Sequence, residues 1–321
     1  LELIDRALGN GVRVSAWTFD ELYARDGKFL DGLESLGQVF VGEIPTDFHG
    51  WTRKPKILAE VPKNLGRGRR KEYPRLAKGY HSSEVRDLAK YSPVFRKQSP
   101  QQYRIKDTDK GPEVWEVKWA EFWRKDEAGL STRRHCLIVA RNVLTGEVKY
   151  FLSNRVPGER NPVTGKWITL RRLLRVAFGR WSIESCFREG KEELGLDHYE
   201  VRGWRCVHRH FYVTQLSHLF CARVRQEFDH SPDEHLDRLT VEQVRSAMNV
   251  WLDAADLGPT SRRARFEAEL DKQQYHQHRN KQARISHTKT RISQLTTMGI
   301  DVDKIKSCIP RTQASVSYTH L

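Results

Sequence analysis

No two cysteines in this sequence stand two residues apart, and the five present (Cys136, Cys186, Cys206, Cys221 and Cys308) are an odd number. Neither a disulfide framework nor a cysteine-based zinc site fits that pattern, and a reducing compartment is expected. Long hydrophobic runs are also missing. Nothing approaches the ~18 apolar residues of a membrane span, and no signal-peptide pattern opens the chain. The expectation is therefore a cytoplasmic protein with no membrane partner. Acid is scarce relative to base: 41 Asp and Glu stand against 56 Lys and Arg, a formal charge of +15 with a pI near 9.7. That balance calls for a polyanionic partner, of which nucleic acid is the commonest. Nine Trp residues supply faces on which bases can stack.

The chain begins with Leu rather than Met. Residues 1–12 read as the end of a helix, with Leu3, Ile4, Ala7 and Leu8 on one face and Gly-Asn-Gly as a stop. Residues 12–18 read as a strand ending at Phe19 and Asp20, residues 28–36 as a short helix stopped by Gly37, and residues 38–44 as a second strand closed by Pro45. This strand–helix–strand unit carries a carboxylate at the mouth of its first strand, the end at which open α/β sheets place their chemistry. Residues 46–112 are rich in Pro and include a basic loop at 66–71. Residues 113–155 turn strongly β, with a hairpin expected at Leu144-Thr-Gly between strands at 135–143 and 147–152.

From residue 169 the periodicity becomes helical. One long helix is expected to residue 194, ended by Gly195, with a more apolar helix over 208–228 packing under it and another starting at Thr240. Residues 261–295, rich in Lys, Arg, His and Gln, read as an exposed helical arm or hairpin, or as partly disordered. Residues 299–310 read as a short tail. His208 and His210 lack a second cluster to complete a zinc site and are expected as cap or DNA-backbone groups. Tyr199 and Trp204 are expected to pack the turn after the long helix. The last seven residues, 315–321, fit no preceding pattern and are expected to be a non-native tail, so that the chain reads as a fragment.

Within the long helix, Arg180, Glu184, Arg188 and Lys191 lie at i, i+4, i+8 and i+11, which at about 100° per residue forms one stripe. Trp181, Ile183, Phe187 and Leu194 lie opposite. Taken alone, the stripe is an ordinary solvated face with i,i+4 pairs. The wider string from Arg180-Trp-Ser-Ile-Glu184 through Gly203-Trp204, followed by Arg209-His210, changes that. It resembles the C-terminal signature of bacterial insertion-sequence transposases of the DDE type, in the group with a β-strand insertion. The signature there is Tyr, two residues, Arg, three residues, Glu, six residues, Lys. Arg180, Glu184 and Lys191 match the last three positions, and Ala177 stands where the Tyr would be. Upstream, Phe19-Asp-Glu-Leu-Tyr-Ala-Arg-Asp-Gly-Lys resembles the segment around that family's second catalytic Asp, with Asp20 in its place, and Val41-Gly-Glu-Ile-Pro45 resembles the strand that follows.

The resemblance implies an α/β fold: a partial RNase H-like core whose first strands are missing, with a β-rich insertion and a helical C-terminal region. It divides the chain into part of the catalytic core (1–45), an insertion (46–168, β-rich at 113–155), core helices (169–228) and a helical C-terminal region (229–310). The activity implied is Mg²⁺-dependent cleavage and strand transfer of DNA at insertion-sequence ends, with Mn²⁺ able to substitute. Asp20 and Glu184 would be the catalytic, metal-holding carboxylates, since hard Mg²⁺ prefers carboxylate oxygens. Arg180, Lys191 and Arg188 would grip phosphates. Trp115, Trp119 and Trp123 are candidates for stacking on a base, although their spacing of four suits sheet core as well. The partners implied are double-stranded DNA, both terminal inverted repeats and target, and a second copy of the chain in a nucleoid-associated complex. The family's first Asp would precede residue 1, so the fragment is expected to be catalytically incomplete. The alternatives are a non-catalytic DNA-binding remnant or regulator, and an unrelated RNase H-like nuclease, against which the Arg180–Lys191 spacing argues.

Overall fold

The segment with the strongest β pattern forms the middle of a mixed sheet in the computed structural model, which describes residues 1–60, 73–228 and 239–309. The basic loop at 66–71 and the tail at 315–321 lie outside the described residues. The chain divides into two compact units, Leu1–Arg180 with Thr288–Leu321, and Trp181–His287.

The first unit is mixed α/β. Its helices are α1 (Glu2–Gly9), α2 (Glu21–Ala24), α3 (Gly27–Ser35), α4 (Val85–Tyr91), α5 (Pro93–Arg96) and α6 (Leu170–Gly179). Its strands are β1 (Val41–Ile44), β2 (His49–Trp51), the short β3 (Ile57–Leu58), β4 (Arg75–Leu76) and β5 (Ser83–Glu84), then β6 (Gln101–Thr108), β7 (Gly111–Lys125), β8 (Ser131–Asn142), β9 (Val148–Ser153) and β10 (Lys306–Ser307). The main sheet runs β1-β9-β8-β7-β2-β5. Strand β7 is long enough to serve two neighbours along one edge. Its first half pairs antiparallel with β6 and its second half with β2, while β8 follows its other edge. β3 and β4 form a separate pair.

Both faces of this sheet are buried. On one, Trp115, Val117, Ile138, Phe151 and Val41 meet Leu170, Leu173, Leu174 and Ala177, the i, i+3, i+4, i+7 stripe of α6. On the other, Phe122, Ala120, Leu137 and Leu152 meet Leu30 and Leu33 of α3, Val85 and Phe95. Paired residues across an antiparallel ladder point to the same face, and the register obeys this: Trp119 faces Ile138, and Phe122 faces His135. His135 is fully buried and bonded at both ring nitrogens, to the Arg133 carbonyl at 2.9 Å and to a Glu34 oxygen at 2.8 Å. The buried guanidinium of Arg124 pairs with Asp31, which ties α3 to the same face.

Several expectations change here. Residues 12–18 do not form a strand; Trp17 makes an isolated parallel bridge to Phe40, and no ladder covers 12–16 among the described residues. Residues 46–112 hold short strands and two helices. Of the tail expected over 299–310, the described residues 299–309 are tied down: Ile300 and Val302 pack on Val114 and Leu295, and β10 pairs parallel with β6. The hairpin at 144–146 is present, with Asn142 Oδ1 accepting from Leu144 and Thr145 and Gly146 at a φ of 73° that an L side chain resists.

The second unit is helical: α7 (Trp181–Leu194), α8 (Trp204–Phe228), α9 (Val241–Asp253) and most of α10 (Pro259–Thr297), whose last turns, from Thr288 on, belong to the first unit. The single long helix expected over 169–194 is two, because Gly179 ends α6 and α7 starts at Trp181. Glycine costs about 1 kcal/mol in a helix interior and marks the weak point. α9 starts with a capping box between Thr240 and Gln243. The arm expected over 261–295 is helical throughout.

Gly50 tests the double-sided packing. A Cβ there would meet the Phe122 ring at 2.2 Å and the Trp123 carbonyl at 2.4 Å. Gly50→Ala is expected to destabilise by about 1–3 kcal/mol, as overpacking does, read as a lower denaturant midpoint with an unchanged slope. Burial also pushes the Cys308 thiol up to about 11 and the Cys136 thiol higher still. With iodoacetamide at neutral pH, exposed Cys206 should be alkylated in the native state and Cys136 and Cys308 only after unfolding, as mass mapping will show.

Candidate functional site

Asp20 is placed by the backbone that precedes it. Trp17 and Phe19 run parallel to β1, with the Trp17 amide donating to the Val39 carbonyl at 2.8 Å, Val41 to Trp17 at 2.9 Å and Glu43 to Phe19 at 3.0 Å. The Phe19 ring lies so close over Gly42 that a Cβ there would meet it at 2.0 Å, and it packs edge-on against Phe29 at 5.1 Å. With Phe19 fixed inward, Asp20 begins the next helix. Its Oδ1 accepts the Leu22 and Tyr23 amides at 3.1 and 3.4 Å, a standard N-cap. Both bonds fall on one carboxylate oxygen, and Oδ2 lies outside them.

Glu43, on β1 beside Phe19, joins this region and was not among the sequence candidates. It bonds Lys149 at 2.9 Å and stands 3.9 Å from the Arg180 guanidinium. Its acidity was visible in Val41-Gly-Glu-Ile-Pro45, but its pairing came from residues 106 and 137 positions away. Arg180 follows α6, in helical conformation. Nearby in sequence, the Arg25 guanidinium hydrogen-bonded to Asp47 holds that exposed carboxyl below its ordinary range.

Glu184 lies in the first turn of α7, exposed. A carboxylate there is favoured by the positive end of the helix dipole. Arg188 and Lys191 are exposed further along, with Arg188 4.0 Å from Glu192. The side of α7 that packs on α8 and α9 is unexpectedly polar. Cys186 Sγ lies 3.4 Å from His218 Nδ1, His218 Nε2 3.4 Å from Glu189, and Glu193 pairs with Arg245 at 3.2 Å. Trp181, Ile183 and Phe187 are each 48% exposed, and only Leu194 of that apolar set joins a buried cluster, with Cys221, Val241 and Val244. Helix α8 does pack beside α7, as expected, yet Phe211, Tyr212, Leu216 and Phe220 on it are exposed.

Trp115 follows the sheet-core reading that its spacing supported. It is 2% exposed, packed 4.9 Å from the Phe178 ring with its indole nitrogen donating to Glu113, and cannot stack on a base. The alternative of sheet core holds for it. Trp119 and Trp123 are half-buried, and Trp119 lines a shallow cleft with Gln98, Gln101 and Val117. Trp204 does not pack the turn after α7; it is 73% exposed and rests on His208, with ring centres 3.9 Å apart. Tyr199 is likewise exposed and lies beside His210, whose Nε2 closes the turn by bonding the Gly195 carbonyl at 2.8 Å.

Among the described residues no three His, Cys, Asp or Glu side chains gather where one metal ion would bind. As to fit, Asp20 and Glu184 are hard oxygen donors at accessible positions, the chemistry that Mg²⁺ takes.

Residues 1–111 match the model of a family described as DDE superfamily endonuclease. No curated protein matches the chain. The match covers the segment holding Asp20, α3 and β1 and supports a DDE-type transposase; the mixed sheet and helical C-terminal region are consistent with the RNase H-like fold of such nucleases. It also runs through residues 46–111. The family implies nuclease or transposase activity on DNA, and no helix among the described residues is long and apolar enough to cross a membrane.

The capping role of Asp20 can be tested by itself. Asp20→Asn should keep the cap and leave unfolding stability within a few tenths of a kcal/mol, whereas Asp20→Ala should lose about 1 kcal/mol, measured by chemical denaturation.

Proposed function

We propose that this chain is the catalytic portion of an insertion-sequence transposase that cleaves DNA at the ends of its element and joins them to target DNA, using Mg²⁺ or Mn²⁺. The observation that carries this is the family match over residues 1–111, within which Asp20 stands at the end of a parallel-paired segment. The spacing of Arg180, Glu184 and Lys191 supports it independently, because those residues lie outside the matched stretch.

In this reading Asp20 and Glu184 would each supply a carboxylate to a divalent ion. Such an ion would supply activation of water and charge neutralisation at the leaving oxygen. Arg180, Arg188 and Lys191 bind phosphates of the terminal strand, Arg180 with Glu43 as its anchor. Trp119 and Trp123 offer faces to a displaced base. Two copies act together on two inverted repeats, in the bacterial cytoplasm at the nucleoid. A second reading is a DNA-binding regulator without catalysis, which the basic charge alone would serve.

Cleavage decides between them. The protein expressed from its complete reading frame should nick its terminal repeats with Mg²⁺, and Glu184→Gln should slow cleavage by about 10³-fold or more, the several kcal/mol that a metal supplies, with DNA affinity within about threefold by the same logic of an untouched phosphate surface. Cleavage by Glu184→Gln at the wild-type rate sinks the assignment. Absence of cleavage by the wild type, with binding intact, selects the regulator.

A further inference from the structure

The sequence contains no acidic residue between Asp271 and Asp301, although Lys272, Arg279, Lys281, Arg284, Lys289 and Arg291 fall in that interval. This stretch lies in α10, which is helical over Pro259–Thr297. The second half of the helix packs through Ile285, Thr288, Ile292 and Leu295, whereas over 261–280 no residue is buried and no apolar stripe explains the helix. Arg265, Lys272 and Arg279 are spaced by seven residues and drift about 20° per step. They form one stripe about 21 Å long, and all three are exposed. The half-buried Gln273 and Gln277 lie on another side of the helix.

The acids of the helix, Glu267, Glu269 and Asp271, all lie in its first half. Glu267 is engaged by Arg263 at 2.8 Å. Half-buried Glu269 accepts from Gln273 at 2.7 Å and lies 3.9 Å from Lys272, whose own side chain stays exposed. Arg279 is steadied by Tyr275, its guanidinium 5.8 Å from the ring centre and its Nη1 3.4 Å from the hydroxyl. Neighbouring cations of the stripe are about 10.5 Å apart, close to the roughly 12 Å width of a major groove, so a helix laid across the groove brings them to the phosphate rows on either side.

We propose that the Arg265–Lys272–Arg279 stripe of α10 is a second DNA-binding surface, one that binds the phosphate backbone of duplex DNA without reading bases. This rests on the reading of the chain as a DNA-processing enzyme. A second copy of the chain is a poor occupant, since it would set one cationic stripe against another on a protein of formal charge +15.

The test is fluorescence anisotropy with labelled duplexes of two unrelated sequences across a salt series. The triple variant Arg265→Gln, Lys272→Gln, Arg279→Gln is compared with a control losing the same charge elsewhere, Lys54→Gln, Lys78→Gln, Lys110→Gln. Circular dichroism checks that α10 stays helical. The arm variant is expected to lose on the order of 100-fold in affinity near 0.15 M salt, equally on both sequences. Its log K against log salt slope should shrink by about 2.7, three contacts at 0.9 each. The control should keep affinity within a few fold. Equal losses in both variants, or a loss on one sequence only, overturns the proposal. So does wild-type affinity in the arm variant combined with a change from dimer to monomer in sedimentation. Glu184→Gln keeps the two readings apart: if it abolishes cleavage while the arm variant binds like wild type, this surface is wrong and the transposase reading stands. If wild type binds neither duplex nor terminal repeats, both fall.

Discussion

A single strand has to satisfy two cores. Strand β7 presents Trp115 and Val117 to the face covered by α6, and Ala120 and Phe122 to the face covered by α3 to α5. Burying both faces forces the rest of the first unit into place. The pairing of β6 and β2 along one edge, and of β8, β9 and β1 beyond the other, follows from which side chains must reach which core. Two of the polar groups that enter come with charged partners: His135 with Glu34, and Arg124 with Asp31. Buried polar groups left unpaired would cost more than the packing returns.

The same constraint positions the candidate site. Phe19 is drawn inward over Gly42, against Phe29 and Phe40, and this fixes the residue after it. Asp20 then starts a helix, with one oxygen committed to the backbone. Glu43 comes alongside through the same parallel bonds and supplies an anchor for Arg180. In the second unit the logic is reversed. Helix α7 packs through Cys186, Glu189 and Glu193, while Trp181, Ile183 and Phe187 stay half exposed. Its polar contacts, rather than apolar burial, set which way Glu184 is carried.

The strand and helix periods were legible wherever one pattern ran without interruption. The β stretch at 113–155, its turn at Gly146, the short helix within 28–36 and the helix start at Thr240 were all readable, because each depends on neighbours within a few residues. Residues 12–18 were misread as a strand: they alternate like one, but a strand needs a ladder, and only Trp17 finds a bridge. The division of 169–194 into two helices turned on Gly179, a small propensity difference that packing decided. Trp115, Trp119 and Trp123 share a spacing and a chemistry, so their sequence could not separate the one sealed against Phe178 from the two left half open.

The sequence by itself determined the basic charge, the acid-free run after Asp271, and the spacing of Arg180, Glu184 and Lys191, since these are properties of composition and of interval along one helix. It also carried the likeness that the family match over residues 1–111 supports. Tertiary structure decided the rest. Glu43 meets Arg180 and Lys149, and Trp204 is left in solvent instead of covering its turn. Those outcomes depend on residues far apart in the chain, whose approach is fixed by burying both faces of a sheet and by no local pattern.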